Sequence, residues 1–231
     1  GWDSIDVLLI SGDTYLDTSY NGSALVGKWL VEHGFKVGII AQPEVDVPDD
    51  ITRLGEPNLF FAISGGCVDS MVANYTATKK RRQQDDFTPG GENNKRPDRA
   101  VLVYSNMIRR FFKGTTKKIV ISGIESSLRR ITHYDYWTNK LRKPILFDAK
   151  ADILSYGMGE MSMLQLANAL KNGEDWQNIR GLCYLSKEPK EDYLSLPSHA
   201  ECLADKDKFI EAFHTFYLNC DPITAKGLCQ K

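Results

Sequence analysis

The chain has 231 residues, 42% hydrophobic and 26% charged, and its 29 Lys and Arg nearly balance 30 Asp and Glu for a net charge of −1. That is the composition of an ordinary soluble globular protein, long enough for one sizeable domain and an appendage. No apolar run reaches the roughly 18 residues that a membrane span needs, and the amino end lacks a secretion-signal pattern, so no membrane partner and a cytoplasmic location are expected. The chain starts at Gly1 with a strand a few residues in, which suggests native sequence ahead of it.

Four short apolar runs, Val7 to Ile10, Val37 to Ala41, Leu59 to Ile63 and Ile119 to Ile121, show no apolar-polar alternation. Each fits a strand buried on both faces. Helical stripes lie between them: Ala24, Leu25, Val26, Trp29 and Leu30 before Gly34, then Val101, Val103, Met107, Ile108, Phe111 and Phe112 before Gly114. The repeated strand-helix-strand unit predicts an α/β fold, an open and mostly parallel sheet with helices on both faces. Farther on, Ala151 to Glu160 reads as a strand ending in a turn with Gly157 and Gly159, and a helix carrying Leu164, Leu166, Ala167 and Leu170 follows. Glu160 stands near its start, where the helix dipole favours a carboxylate. Gly181 to Leu185 is a candidate edge strand, and Ser198 to Glu201 is a capping box opening a helix to about Leu218. Leu203, Phe209, Ile210, Phe213, Phe216 and Tyr217 are expected to form its packing face. The expected division is an α/β domain over residues 1–175 and a helical extension over 176–231.

Two polar stretches, Ser64 to Arg99 and Ser122 to Trp137, each begin where a predicted strand stops, which is where α/β proteins place ligand loops. The first carries Ser64, Gly65, Gly66, Asp69 and Ser70, then a basic patch of Lys79, Lys80, Arg81 and Arg82 joined by Lys95 and Arg96. Gln83 to Pro97 is predicted to be loop, with almost nothing able to enter a core; so long a loop is either functional or poorly ordered. Asp98 is expected to cap the next helix. From Lys79 to Lys143, 17 Lys and Arg face 6 Asp and Glu, so one side of the molecule should attract phosphate-bearing ligands, nucleic acid or an acidic neighbour. The simpler account is a solvated loop with charges flanking buried elements.

In the second stretch, Ser122 and Gly123 turn the chain, and Glu125 to Arg130 reads as a short helix whose start suits an anion. Arg129, Arg130 and His133 are placed to close on that ligand beside Tyr134, Tyr136 and Trp137. Equally, the aromatics pack under a loop and the arginines pair with Glu125 and Asp135. The five cysteines, Cys67, Cys183, Cys202, Cys220 and Cys229, include no CxxC pair, so no metal site is expected within the chain. Cys67 has no histidine base close in sequence, and Asp13 with Asp17 reads more simply as two loop acids than as a catalytic pair. No catalytic residue is assigned.

Taken in order, GDTYLD (Gly12 to Asp17), GIIAQP (Gly38 to Pro43), CVDSMVANYTATKKRRQQDDFTPGG (Cys67 to Gly91), KRPDRA (Lys95 to Ala100), GIESSLRRITHYDYW (Gly123 to Trp137) and KADILSYGMGE (Lys150 to Glu160) resemble the amino-terminal region of YgiQ-type radical SAM proteins. The resemblance covers nearly the whole chain. It implies a cobalamin-binding-like, flavodoxin-like α/β domain ahead of a barrel whose CxxxCxxC motif holds a [4Fe-4S] cluster and S-adenosylmethionine. No CxxxCxxC occurs here, so neither cofactor is expected in this chain, and Asp221 to Leu228 resembles the linker before the barrel.

There are departures. Cobalamin domains that ligate cobalt through histidine use DxHxxG, whereas this first loop reads Asp13-Thr14-Tyr15-Leu16-Asp17, without histidine. Family members often carry GDAYVDHPSFG where Thr18 stands here, and often glycine where Ser122 stands. Three readings follow. The first is a non-catalytic domain packing on its own radical SAM barrel and lining the mouth for an unknown substrate with Asp13, Asp17, Asp69, Ser70, Glu125 and Arg129. The second is an RNA-binding module using the basic patch and Tyr134 to Trp137. The third is a cobalamin or nucleotide site without a histidine ligand around Gly12, Ser64 to Gly66, Ser122-Gly123 and Gly157 to Gly159.

Overall fold

A computed structural model describes residues 2–16, 21–221 and 223–231. The elements run in the order β1 (Val7–Ser11), α1 (Gly22–Glu32), β2 (Val37–Ala41), α2 (Pro48–Thr52), β3 (Phe60–Ser64), α3 (Ser70–Asn74), α4 (Ala100–Phe111), β4 (Lys118–Ser122), α5 (Gly123–Ser127), β5 (His133–Asp135), β6 (Lys140–Arg142), α6 (Ile145–Ala149), β7 (Ile153–Ser155), α7 (Glu160–Asn172), β8 (Leu182–Tyr184), β9 (Leu194–Leu196), α8 (His199–Ala204), α9 (Lys206–Leu218) and β10 (Leu228–Gln230). Six strands form the main sheet in the order β2-β1-β3-β4-β7-β8. The first five are parallel, and β8 is an antiparallel edge strand. This is the doubly wound 2-1-3-4-5 order with one reversed strand added.

Helices cover both faces. Leu8, Ile10, Phe61, Ile63, Ile119 and Ile121 share one core with residues of α2, α4 and α6. Val7, Leu9, Phe60, Ala62, Val120 and Ile153 share the other with α1 and α7. Because side chains on alternate sides of each strand are both buried, the runs carry no polar positions, which is the pattern seen in the sequence. Burial of each such Ile, Leu or Phe contributes roughly 1.5–3 kcal/mol before the entropy of ordering is counted.

The carboxyl-terminal elements differ from expectation in two ways. The helix expected from Ser198 to Leu218 breaks at Asp205, whose extended backbone (φ −141°, ψ 122°) ends α8 and whose side chain caps α9 by accepting from Asp207 N at 2.8 Å. The capping box of Ser198 and Glu201 is present. The expected packing face is also covered only in part: Phe209 and Phe216 are half-buried beside buried Cys202 and Ala212, whereas Leu203, Ile210, Phe213 and Tyr217, with Leu218, are exposed. The sheet itself runs past residue 175, since β8 pairs with β7.

This terminal unit sits at the carboxyl end of the sheet. Thr132 N donates to Gln230 Oε1 at 2.7 Å, and Thr132 Oγ1 lies 3.1 Å from His199 Nδ1. The Arg130 guanidinium stacks on Tyr156, just after β7, and on Phe216 of α9, with 4.6 and 4.3 Å to the ring centroids.

Candidate functional site at the carboxyl ends of the strands

The chain leaves β1 for β2 on one side and returns to β3 on the other, so the loops after β1 and β3 diverge at a topological switch point. Gly12-Asp13, Ser64 to Gly66, Ser122-Gly123 and Gly157 to Gly159 make the floor of that end. Close backbone approach explains two of the glycines. A Cβ at Gly12 would overlap the Gly65 carbonyl, and one at Gly66, held at φ 118°, would overlap the Asp13 carboxylate.

Below this floor lies an ion cluster. Asp13 Oδ1 accepts from Arg96 Nη2 at 2.5 Å, Asp85 Oδ2 lies 3.1 Å from Arg96 Nη1, and Arg96 Nε donates to the Gly12 carbonyl at 3.0 Å. Asp13 also accepts from Cys67 N at 2.6 Å. Arg96 is 1% exposed and heads the largest fully buried side chains. The Gln83 to Pro97 segment is therefore not the loose loop expected. Thr88 donates to Asp85 at 2.7 Å, Gln42 donates to Thr88 at 2.7 Å, and Asn93 donates to the carbonyls of Asn74 and Arg82 at 3.2 and 3.0 Å. Most polar groups of this interior have partners, which removes most of the cost of burying them, while Asn74 Oδ1 and Asn93 Oδ1 are buried without one. Arg96 consequently belongs to the interior and not to a surface basic patch.

Glu125 of α5 organises the next layer. Its carboxylate accepts from Ser70 N at 3.0 Å and from Val101 N at 3.2 Å, so one buried side chain serves the first turns of α3 and α4. Arg99 precedes α4 in a left-handed conformation (φ 54°) and gives no side-chain cap; Ser70 Oγ instead accepts from Ala100 N at 3.1 Å. Asp98 does not cap α4. That turn leaves Asp98 accepting from Asn74 Nδ2 at 2.8 Å and Tyr75 Oη at 2.7 Å. Burial pushes the Glu125 carboxyl above its ordinary value and the neighbouring Asp69 adds to this, against hydrogen bonds from Ser70 and the charge of Arg129.

The arginines of the second stretch are also engaged, with partners that differ from those expected. Arg129 pairs with Asp69 and donates to the Glu125 carbonyl at 2.9 Å. Asp69 caps α3 by accepting from Met71 N at 2.9 Å. Asp135 takes Arg99 at 2.8 Å and Arg142 at 3.1 Å, not Arg129 or Arg130. Burial opposes its ionisation, but Thr138, Arg99 and Arg142 outweigh that and hold the Asp135 carboxyl well below the usual carboxylate range. Burial lowers His133, whose Nδ1 lies 3.2 Å from the Ile131 carbonyl; its cleft with Arg99, Glu125, Arg129 and Arg142 encloses only about 10 Å³.

The basic residues near the first stretch are largely used within the domain. Lys79 Nζ donates to the carbonyls of Tyr136 and Trp137 at 3.2 and 3.3 Å and lies 4.6 Å from the Tyr136 ring centroid. Arg82 Nε donates to the carbonyls of Val72 and Tyr75, and Arg81 to the Tyr75 hydroxyl and the Asn93 carbonyl. Lys79, Lys80, Arg81, Arg82 and Lys95 are nevertheless all exposed, so of the predicted basic patch Arg96 is the member that is buried.

Six residues picked from sequence do come together around open space. Ser64, Ser122, Gly123, Gly157, Gly159 and Glu160 line a cavity of about 160 Å³ between the amino ends of α1 and α7. Asp13, Gly65, Ser70, Asp69 and Glu125 are buried, Gly66 is half-buried, and Asp17 lies outside the described residues. Sequence reasoning missed Asp85, Thr88 and Gln42, which complete the ion cluster. A lone acid in a polar loop carries no local sign that it will be buried.

Fold and site together define a doubly wound α/β domain whose glycine-bearing loops gather at the carboxyl ends of the strands. The Radical SAM N-terminal family model matches residues 1–231, and the chain belongs to that family. It is 96% identical over 231 residues to a UPF0313 protein of Fusobacterium nucleatum subsp. nucleatum, covering 100% of this chain and 41% of that protein. A UPF0313 protein of Thermotoga neapolitana is 49% identical over 225 residues, 96% of this chain and 39% of that protein. The chain thus spans well under half the length of these relatives. Among solved structures, TsrM from Kitasatospora setae, a radical S-adenosylmethionine methyltransferase with cobalamin and a [4Fe-4S] cluster bound, shares the fold. Its TM-score is 0.53 at 17% identity, over 80% of this chain and 28% of that chain.

The donor set here does not fit the family's cluster. The five cysteines lack the close spacing that one turn needs, and the described residues bring together no three His, Cys, Asp or Glu side chains able to hold a metal ion. Among the described residues no helix is long and apolar enough to cross a membrane.

Proposed function

We propose that this domain is the non-catalytic amino-terminal part of a longer radical SAM protein, that it docks on the barrel of that protein through α8 and α9, and that its loops line the barrel's substrate mouth. The observation that carries the reading is the uncovered apolar side formed by Leu203, Ile210, Phe213, Tyr217 and Leu218. So many exposed aromatic and aliphatic groups along one stretch are costly for a domain that works alone. Arg130, stacked between Tyr156 and Phe216, ties that side to the carboxyl end of the sheet, so docking there brings the loops toward the partner. The [4Fe-4S] cluster and S-adenosylmethionine are carried by the barrel.

Hydrogen exchange compared between the full-length protein and the 231-residue chain tests the docking. Amides of α9 are expected to be more protected at full length, and Ile210→Asp with Phe213→Asp to abolish the difference. Equal exchange in both proteins refutes it.

RNA binding is the weaker alternative, since Arg96 is interior and the exposed Lys79, Arg81 and Arg82 each donate to groups of the domain itself. Absence of RNA binding at low salt removes it. A cobalamin site without a histidine ligand uses the same end of the sheet, and a flat titration of the chain with cobalamins removes that reading.

A further inference from the structure

On the face of the sheet opposite α1 and α7, three guanidiniums meet one small cleft. Arg99 comes from the turn before α4, Arg129 from the chain just after α5 and Arg142 from β6, and all three line the space together with His133. Two of the acids that hold them do not. Asp135 takes Arg99 Nη2 at 2.8 Å and Arg142 Nε at 3.1 Å, and Asp69 takes Arg129, yet neither acid is on the wall of the cleft. Each arginine is thus fixed by a carboxylate set away from the space it lines. A guanidinium offers five N–H donors, and the hydrogen bonds of Arg99 use Nη2 while those of Arg129 use Nη1, so both keep donors for a further acceptor.

Two acids do line the cleft, and neither cancels the three cations. Asp148 reaches Arg142 Nη1 at 3.5 Å with a side chain 38% exposed, where water screens its charge. Glu125 accepts from the backbone N–H groups of Ser70 and Val101, and burial favours the uncharged form of its carboxyl. The volume of about 10 Å³ is room for one atom the size of a water oxygen. A whole phosphate does not fit there, but one of its oxygens does, with the rest of the group at the mouth. Arginine forks reaching that point from three separate elements suit a dianion spread over several oxygens better than the single charge of a carboxylate.

We infer that the cleft between α4, α5 and the β5–β6 hairpin binds one oxygen of a tetrahedral dianion, a phosphate-type group on a ligand whose remainder lies outside. Arg99, Arg129 and Arg142 donate to it, and Asp69 and Asp135 keep those guanidiniums in place. Arg130, expected from sequence to join Arg129 and His133 on an anion, is not part of the site, since it stacks on Tyr156 and Phe216. The cleft is separate from the docking surface on α9, so either reading can fail alone.

The chain has four histidines, and His133 is the one that lines the cleft. Burial, and after it the charge of Arg129, hold its ring below the ordinary pKa, and a bound anion offsets the second, so the ring reports occupancy. The test is a titration of the 231-residue chain carrying 13C-labelled histidine, with sodium sulfate as the dianionic probe and sodium chloride and sodium acetate at equal ionic strength as controls. A saturable shift of the His133 ring signal is expected with sulfate, none with chloride, and affinity for acetate lower by about tenfold or more. Leu102→Glu puts an acid on the wall without removing an arginine, and Arg142→Gln removes one fork. Each, checked for an unchanged circular dichroism spectrum, should weaken sulfate binding by about tenfold or more. A variant that fails this check is replaced by Arg142→Lys, which keeps a charge beside Asp135 but lacks the planar fork and should weaken binding likewise. No saturable shift of His133, an equal response to chloride or acetate, or sulfate binding unaltered in the folded variants would overturn the inference.

Discussion

Arg96→Met tests whether the Asp13-Arg96-Asp85 cluster is a structural unit. The guanidinium side chain is 0% exposed and its partner carboxylates are 1% and 3% exposed, so its removal strands two buried acids with no water to replace the lost charge. Breaking a buried ion pair in this way costs about 3–5 kcal/mol, much of it the penalty for the acids left behind. For a chain of this length each kcal/mol lowers Tm by about 2 °C, which places the variant about 6–10 °C below wild type. The Nε bond to the Gly12 carbonyl is lost as well, so Gln83 to Lys95 should become the first site of cleavage by a protease that leaves wild type intact. Adding Asp13→Asn and Asp85→Asn should recover part of the loss, because the stranded charges are then gone. Urea denaturation monitored by circular dichroism, with limited proteolysis, measures both effects. A penalty under about 1 kcal/mol, within the range of a surface ion pair, would refute the burial argument.

Other outcomes follow from the same geometry. Burial raises the folded-state pKa of Glu125 above its ordinary 4.5, so the proton is held in the folded protein where the unfolded chain has released it. Its contribution to stability is complete below about pH 4.5 and is lost as pH rises through the raised value; Glu125→Gln should flatten that part of the stability profile, and parallel profiles would contradict the assignment. Asp135 has the opposite sign: its contribution is present above its ordinary 3.8 and is lost as pH falls through its depressed value, so Asp135→Asn should cost most near neutrality and least in strong acid. Burial, then hydrogen bonding and charge from Asp13, push the Cys67 thiol up to about 11, and burial places Cys183 likewise near 11. Iodoacetamide at pH 8 followed by peptide mass spectrometry should therefore label exposed Cys220 well before either, and early labelling of Cys67 would show that its environment is misassigned. Gly12→Ala forces a Cβ into the Gly65 carbonyl and should cost about 1–3 kcal/mol in the same denaturation assay.

Much of the architecture could be read directly from the order of residues. Uninterrupted apolar runs such as Val7 to Ile10 and Ile119 to Ile121, separated by helical stripes, specify strands buried on both faces, and buried parallel strands need crossovers and helices on either side. The glycines at strand ends marked the right end of the sheet, because a tight turn after a strand is a local requirement on backbone dihedrals. Those properties depend on neighbours within a few positions along the chain.

What the tertiary structure alone decided was where polar groups go. Arg96 and Lys95 are adjacent and alike in sequence, yet one fills the interior and the other is exposed, because only the fold brings Asp13, 83 positions away, and Asp85 to within an ion-pair distance of Arg96. Asp98 looked like a helix cap, but the left-handed turn at Arg99 hands that role to Glu125 and Ser70 from distant segments. The amphipathic stripe of α9 was legible, but whether this chain covers it was not. Burial is a property of what packs on a face, and here the exposed Ile210, Phe213 and Tyr217 mark where the domain's own packing ends.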